Sequence, residues 1–394
     1  MSDTSKYRQI FEDLQKAIRD GQYPKGVPLP SEEALVRRYD VSRITAANAM
    51  AELVKKGLVY RRRGSGTFAT RKARHDSGRL GLIMPSLSLG EIFPLICQEI
   101  VQCAQSDGYS TLIGDTSASS PEARARKAAK VARAFVQQGV AGVILQPLAF
   151  LASPERVTRE IISLFDRAEV PVVLIDRDID AISGPVRHDF VGIDNFAAGR
   201  TLCVHLLECG AKRVHFLMRP NCASIIRDRL DGVASVLGER RPKNMAIVAE
   251  PDDAKALSKF FRAKRGRPDA VVCESDYVAA VFRNTLAKLG VSVPQDVMLV
   301  GFDDVRFAVT SAPTLTTVHQ PCADIAHIAY NTLRERIADS GLPPRRILLP
   351  APLVVRESSG KMCRLSNPTF SAQSLSAWCS SRPPRWPSAR RSPS

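Results

Sequence analysis

The sequence predicts an α/β protein in two parts: a small N-terminal domain of short helices and a β-hairpin, then a larger two-lobed domain with parallel sheets. Three observations predict this fold. The chain of 394 residues, 44% of them hydrophobic, suffices for about two or three domains with buried cores. Positive charge is concentrated at the start, where residues 1–79 hold 17 Lys and Arg against 9 Asp and Glu. Over residues 80–359, short apolar strands alternate with amphipathic helices, and the charges nearly balance.

The first 70 residues contain the pattern of a helix-turn-helix followed by a wing. A first helix is predicted from apolar residues that recur at helical spacing. Ser31 is a suitable N-cap for a helix over 32–39, and after a short turn Ser42 caps another helix over about 43–56. The segment LVYRRRGSGTFAT then predicts a strand, a Gly-Ser-Gly turn and a second strand.

The start of the second motif helix is the predicted base-reading element, because in this motif those residues face the base edges of the major groove. Arg43 can donate two hydrogen bonds to guanine O6 and N7. The arginines beside the wing turn are placed to reach the DNA backbone or the minor groove. An alternative interpretation of each arginine is a solvated surface charge. The predicted DNA-binding residues are Ser31, Ser42, Arg43, Ile44, Thr45, Asn48, Arg61, Arg62, Arg63, Gly64, Ser65 and Gly66.

Four motifs at matching spacing make residues 5–70 resemble the winged helix-turn-helix of GntR-family regulators. They are Leu29-Pro30-Ser31-Glu32, Val41-Ser42-Arg43, Gly57-Leu58-Val59 and Gly64-Ser65-Gly66-Thr67-Phe68. The sequence departs from the family pattern at Glu33 and Ala47, where the family often has basic residues that touch DNA. The resemblance implies binding to duplex DNA with an operator preference that differs from the family norm.

The pattern of the larger domain predicts two similar lobes. Strands such as LGLIMP, VAGVILQP and PVVLIDR alternate with helices, and after a break the series repeats from FVGID to VMLVGFDD. Such alternation indicates parallel sheets with helices on both faces. Ligands of these folds bind at the carboxyl ends of the strands, so the cleft between the lobes is the expected pocket.

Polar residues at the predicted strand ends suggest a sugar or another small polyol as the ligand. Asp176 follows PVVLI, Asp303 follows LVGF and Ser275 follows AVVCE, whereas Arg229 lies near the start of a helix. Carboxylates accept hydrogen bonds from pairs of hydroxyls, and a planar guanidinium bridges adjacent oxygens. The alternative is that these aspartates only form turns and helix caps.

Residues 80–359 also resemble the sensor domain of the LacI/GalR family. The motifs include VPVVLID at 170–176, Asp194-Asn195 with Ala198-Gly199, Arg229-Leu230-Asp231-Gly232, Gly301-Phe302-Asp303-Asp304, Pro313-Thr314-Leu315-Thr316-Thr317-Val318, and VRESS at 355–359 as the final strand. The resemblance implies a periplasmic-binding-protein-like fold. It also implies effector contacts from Ser86, Phe93, Asp176, Arg229, Ser275, Asp303 and Gln320. Ser275 stands where the family commonly has an asparagine.

The predicted organisation is a DNA-binding domain, a linker, a sensor domain and a tail. Their limits are residues 1–70, 71–79, 80–359 and 360–394, with lobe 1 over 80–183 and 305–320 and lobe 2 over 184–304 and 321–359. The resemblance places the crossovers between lobes near 183–190, 303–307 and 317–322. The tail holds 6 basic and no acidic residues and is predicted to be disordered.

Several classes of protein are excluded by the sequence. No run of 18 apolar residues exists, and the charged N-terminus is unlike a signal peptide. The 9 cysteines form no metal-binding pattern and are typical of buried thiols in a reducing cytosol. No nucleophile elbow, P-loop or dinucleotide-binding motif occurs, so we expect neither an enzyme nor a cofactor or metal ion.

The sequence therefore predicts a cytoplasmic, homodimeric, sequence-specific transcriptional regulator. It is expected to be a repressor whose operator affinity changes when a small sugar-like effector binds between the lobes. The fusion of this head to this sensor resembles chimeric regulators of the arabinose-repressor type. Two alternatives stay open: a corepressor-dependent regulator or activator that responds to a non-sugar metabolite, and more distantly a sugar-acting enzyme or solute-binding protein.

Overall fold

The computed structural model describes residues 3–19, 22–23, 26–62, 64–70, 78–84, 92–149, 154–179, 186–262 and 266–360. Arg63, Ser86, most of the predicted linker and the predicted tail beyond residue 360 lie outside the described residues. Within this part of the chain, the order of elements confirms the predicted fold: a helical domain with a hairpin, then two parallel α/β lobes. None of the helices in these ranges is long and apolar enough to cross a membrane.

Three helices and a two-stranded hairpin form the N-terminal domain. They are α1 (Asp3–Arg19), α2 (Glu32–Tyr39), α3 (Arg43–Lys55), β1 (Val59–Arg62) and β2 (Gly66–Ala69). Each helix contributes an apolar face to one core. The largest contributions come from Ile10, Leu14, Ile18, Leu35, Met50 and Leu53.

Side-chain caps fix the turn between α2 and α3, as the sequence predicts. Ser31 Oγ accepts a hydrogen bond from the backbone N–H of Ala34 at 3.2 Å, and Ser42 Oγ accepts one from Thr45 N–H at 3.2 Å. Between the two helices Asp40 adopts a left-handed conformation with φ of 49°, which aspartate tolerates better than most residues. The result is the helix-turn-helix geometry.

The larger domain contains the remaining strands and helices. The strands are β3 (Arg79–Met84), β4 (Ser110–Asp115), β5 (Gly142–Leu145), β6 (Val172–Ile175), β7 (Asp189–Ile193), β8 (Val214–Met218), β9 (Ala246–Val248), β10 (Ala270–Cys273), β11 (Met298–Asp303), β12 (Thr316–His319), β13 (Arg346–Leu349) and β14 (Leu353–Val354). The helices are α4 (Ile92–Ser106), α5 (Pro121–Gln137), α6 (Pro154–Arg167), α7 (Asn195–Glu208), α8 (Ser224–Leu237), α9 (Ala254–Phe261), α10 (Asp276–Lys288), α11 (Arg306–Thr310) and α12 (Cys322–Ala338).

Two sheets of six strands divide this domain into lobes. Lobe 1 has the strand order β13-β7-β6-β5-β3-β4, and lobe 2 has the order β14-β12-β11-β10-β8-β9. All neighbouring strands are parallel except β14, which pairs antiparallel with β12. The central strands are buried throughout because helices cover both faces of each sheet, which explains their continuous apolar runs.

The connection between the lobes differs from the prediction. β7 belongs to lobe 1, β12 belongs to lobe 2, and α12 with β13 returns to lobe 1. The chain therefore crosses at 193–195, 319–322 and 349–353, so only the crossover predicted at 317–322 is correct. A crossover at 303–307 is absent because β11 continues through α11 into its parallel neighbour β12. The predicted final strand is also displaced: β14 precedes VRESS, and Glu357–Ser359 forms a turn of 3₁₀ helix.

Candidate DNA interface and effector site

The first turns of α3 present both polar and apolar side chains to solvent. Arg43, Ile44 and Asn48 are exposed on the face opposite the domain core. No acidic residue lies in the first turn, so nothing there neutralises the partial positive charge of the helix N-terminus. This surface suits a major groove lined by phosphates.

Thr45 does not present its side chain to solvent, contrary to the prediction. It is only 5% exposed, and its hydroxyl oxygen lies 2.7 Å from Ser42 Oγ. The helix turns by about 100° per residue, which places position 45 beside Ala46 and Ala49 on the inward face. Ser42 and Thr45 therefore stabilise the start of α3.

The wing carries exposed residues at its tip and a paired arginine close to that tip on β1. Gly64, Ser65 and Gly66 form the exposed turn, where Gly64 and Gly66 have φ of 74° and 115°. Such positive values favour glycine. Arg62 is exposed at the end of β1, whereas Arg61 Nη2 lies 2.8 Å from Glu32 Oε1 in an ion pair. Arg61 thus links the wing to the first turn of α2.

Arg229, on α8, lies at the centre of the polar cluster in the sensor domain and is 2% exposed. Its Nε donates to Asn195 Oδ1 at 2.8 Å and its Nη1 donates to the carbonyl of Glu274 at 2.6 Å. Its Nη2 is 4.0 Å from Asp303 Oδ1, and the guanidinium lies over the Phe302 ring at 4.2 Å. These contacts hold the guanidinium plane fixed at the edge of the lobe 2 sheet.

Asp303 and Gln320 join this cluster from β11 and from the second crossover. Gln320 Nε2 donates to Asp303 Oδ1 at 3.1 Å. Burial raises the pKa of Asp303 to about 6, and the negative charges of Asp176 and Glu274 add to this effect, while Arg229 opposes it. Because Asp176 belongs to lobe 1, its influence on Asp303 acts across the cleft.

Asp176 is held at the end of β6 by two donors from its own lobe. Gln146 Nε2 and Arg177 Nε each donate to Asp176 Oδ2 at 3.1 Å. The backbones of Asp176 and Asp303 have φ of 68° and 112°, a region in which non-glycine residues are strained. Strained aspartates at the ends of strands on both sides of the cleft are typical of a binding site.

A cavity of about 230 Å³ opens beside Asp303 and Gln320. Its walls include His319 and Cys322 from the second crossover and Leu95 from α4 of lobe 1. Burial raises the pKa of the Cys322 thiol to about 12, so this residue is a neutral, weakly polar part of the wall. The cavity therefore combines a charged end with an apolar wall.

Phe93 and Ser275 make contacts within the protein itself. Phe93 packs against the core of lobe 1 and does not line this cavity; Leu95, two residues further along α4 and thus on the opposite side of the helix, takes that place. Ser275 lies at the end of β10 as predicted, but its hydroxyl oxygen accepts a hydrogen bond from Val278 N–H at 3.3 Å as the N-cap of α10. Its part in effector binding stays a prediction.

Sequence reasoning missed several residues that shape the site. Asn195, Gln146, Arg177 and Glu274 contact Arg229 or Asp176 directly. Gln146 and Glu274 each follow a buried strand, which is the same signal that identified Asp176. They could therefore have been predicted from the sequence. Asn195 belongs to the Asp194-Asn195 motif after β7, but its contact with Arg229 could not be predicted because it depends on how α7 packs on α8.

Asp276 is buried at the start of α10 and supports the loop after β11. It accepts hydrogen bonds from Thr317 Oγ1 at 2.7 Å and from the backbone N–H of Val305 at 3.1 Å. Burial, together with the charge of Asp303, raises its pKa well above the usual value. Within the described ranges, no group of three His, Cys, Asp or Glu residues is placed to hold a metal ion.

Comparison with known proteins agrees with this geometry. Residues 6–69 match the model described as bacterial regulatory proteins, gntR family, and residues 204–359 match a periplasmic binding protein-like domain. The arabinose metabolism transcriptional repressor of Geobacillus stearothermophilus is 26% identical over 90% of this chain and 97% of its own length. The ribose operon repressor of Halalkalibacterium halodurans is 27% identical over 72% of this chain and 80% of its own length.

A solved structure extends the comparison to three dimensions. The transcription regulator GntR from Chromobacterium violaceum matches with a TM-score of 0.58 and 26% identity, over 71% of this chain and 99% of that one. The winged head and the two-lobed sensor define the chain as a transcriptional regulator, the class to which these relatives belong, and not as an enzyme. Residues 6–69 are thus similar to the DNA-binding domain of gntR-family regulators, and residues 204–359 are similar to periplasmic binding protein-like domains.

Proposed function

We propose that the protein is a repressor of genes for carbohydrate use, and that it binds its operator through α3 and the wing. Support comes from the exposed Arg43, Ile44 and Asn48 on one face of α3 and from the net charge of +8 on residues 1–79. Arg62 and the turn at 64–66 extend the same surface toward the DNA backbone. The repressor role is taken from the relatives, which are named as repressors of arabinose metabolism and of the ribose operon.

The effector we propose is a small neutral sugar bound between the lobes. The observation that carries this is the cluster of Arg229, Asp303 and Gln320 in lobe 2, with Asp176 of lobe 1 near enough for its charge to raise the pKa of Asp303. These side chains offer acceptors and donors of the kind that bind vicinal hydroxyls. The cavity of about 230 Å³ shares Asp303 and Gln320 with this cluster, whereas Arg229 and Asp176 are not among its lining residues.

We further propose that the regulator acts in the cytoplasm as a homodimer that reads two half-sites. Both sheets end in an edge strand with an exposed apolar side chain: Ile113 on β4 of lobe 1 and Val248 on β9 of lobe 2. An exposed strand edge with apolar residues is a surface that proteins usually cover. Because an operator has two half-sites, we propose that a second copy of the chain covers this surface.

A titration of DNA binding tests this function. The purified protein is mixed with fluorescent duplexes from the region upstream of its own gene, against scrambled competitor, while arabinose or ribose is added. We expect selective binding that one sugar weakens about 5–150-fold, the range of a coupling of ~1–3 kcal/mol. Arg43→Ala should cost ~1–3 kcal/mol at one base pair and relax the preference there. Absence of selective binding for the unmodified protein would refute the proposal.

A further inference from the structure

Ile44 is the most exposed large apolar side chain among the residues that the structure describes, with 73% of its surface in contact with solvent. It lies in the first turn of α3, directly after Arg43. It contributes nothing to the domain core, which Ala46, Ala49, Met50 and Leu53 form from the opposite face of the helix. A β-branched residue is also a poor choice for helix stability at an exposed position. The stability of the domain therefore does not explain why an isoleucine stands at position 44.

The neighbours of Ile44 make its surroundings a surface for reading bases. Arg43 precedes it, and Asn48 follows one turn later on the same exposed face. Ala47, between them, has a short side chain that leaves room for close approach of a ligand surface. Guanidinium and amide groups are the side chains that contact guanine and adenine by paired hydrogen bonds.

An aliphatic side chain in the major groove has one favourable partner among the base edges. Thymine carries a 5-methyl group there, whereas the other edges present hydrogen-bond donors and acceptors that an aliphatic group would leave unsatisfied. In the minor groove no base presents a methyl group.

We propose that Ile44 contacts the 5-methyl group of a thymine next to the base pair read by Arg43, and so selects a T·A pair at that position of each half-site. This inference rests on the proposed binding of operator DNA by α3. It assigns to Ile44 a specificity that the arginine contact alone does not provide.

Removal of single methyl groups tests the proposal directly. Duplexes bound by the full-length protein are selected from a random pool, and each thymine of one half-site is replaced in turn by deoxyuridine, which lacks only the 5-methyl group. For the unmodified protein, one replacement in the half-site should weaken binding about fourfold, as expected for one buried methyl-sized group. Ile44→Ala should bind the thymine and deoxyuridine duplexes equally.

Val54→Ala is the matched control, because Val54 is a partly exposed aliphatic residue in the last turn of the same helix. This variant should keep the dependence on the methyl group. The proposal is overturned if no replacement weakens binding by the unmodified protein, or if Ile44→Ala stays as sensitive as that protein. A pool that yields no enriched sequence would instead count against the proposed function itself.

Discussion

Single side chains decide how the sensor recognises its effector, and Arg229 is the most constrained of them. Its guanidinium is bonded to Asn195 and to the Glu274 carbonyl, so it is oriented before any ligand arrives. Asn195 Nδ2 in turn donates to the carbonyl of Ile193, the last residue of β7, at 3.4 Å. Arg229, for which we propose effector binding, is therefore connected through one side chain to the first crossover between the lobes.

Replacement of this arginine should separate sensing from DNA binding. Arg229→Ala is expected to abolish the response to the effector while operator affinity without effector is retained, because the change lies in lobe 2 and α3 belongs to a domain with its own core. Calorimetric titration with the active sugar, beside operator binding, provides the measurement. Arg267→Ala, which removes a surface ion pair with Asp296 in the same lobe, serves as the control and should respond normally. An unchanged effector affinity in Arg229→Ala would contradict the assigned role.

Asp303 makes the stability of the sensor depend on pH. Its pKa is raised by burial to about 6 from a usual value of 3.8, so the folded protein binds a proton more tightly than the unfolded chain. Between about pH 4 and 6 the free energy of unfolding should therefore fall as pH rises, and the loss persists at neutral pH. Asp303→Asn should flatten this slope and stabilise the sensor at pH 7 by on the order of 1–3 kcal/mol.

Urea unfolding of both proteins at pH 4.5 and pH 7.5 measures this effect. The variant should also bind the effector poorly, because an amide replaces the carboxylate that accepts hydroxyl hydrogens. If the free energy of unfolding changes by the same amount between the two pH values in both proteins, Asp303 does not titrate as described.

At the scale of elements, the contact between α7 and α8 builds the site. Two glycines let the helix backbones touch: a Cβ atom on Gly199 would lie 2.1 Å from the Arg229 carbonyl oxygen, and one on Gly232 would lie 2.1 Å from the Phe196 carbonyl oxygen. No side chain fits at such a distance. This close crossing is what brings Arg229 beside Asn195.

A methyl group at this crossing should therefore disturb both stability and sensing. Gly199→Ala is expected to destabilise lobe 2 by about 1–3 kcal/mol, because α7 and α8 must move apart, and to weaken effector binding as Arg229 shifts. Urea unfolding and effector titration test the two effects. Thr201→Ala, on the exposed side of α7, should change stability by no more than about 0.5 kcal/mol. Wild-type behaviour of Gly199→Ala would mean that the helices can separate without cost.

The sequence predicted local features better than the partners of each strand. Caps at Ser31 and Ser42 and the alternation of strands and helices are encoded within a few residues, and they appear as expected. The crossovers were largely misplaced because a buried parallel strand has the same apolar pattern in either sheet. The exposure of Thr45 was misjudged for a related reason: the direction in which a helical residue faces depends on the rotation of the whole helix against its neighbours.

On the scale of the molecule, the proposed effector site draws on both lobes, so we expect ligand binding to stabilise both of them. Asp176 and Leu95 come from lobe 1, whereas Arg229 and Asp303 come from lobe 2. A ligand that needs both lobes in place should stabilise the folded sensor by about 2.7 kcal/mol at a hundredfold excess over its Kd. Differential scanning calorimetry with and without the active sugar measures this shift, and the same sugar should leave Arg229→Ala unchanged. A ligand-independent melting curve would argue against a site shared by the lobes.

The three crossovers also determine how lobe 2 is coupled to the DNA-binding domain. The peptide chain leaves the DNA-binding domain and enters β3, so lobe 1 alone is tethered to that domain, and lobe 2 is reached only by way of residues 193–195, 319–322 and 349–353. These three short segments are therefore the expected hinge for any movement of lobe 2 relative to lobe 1. If a bound sugar moves lobe 2 toward lobe 1, that movement can change operator binding only through lobe 1 or through a second subunit.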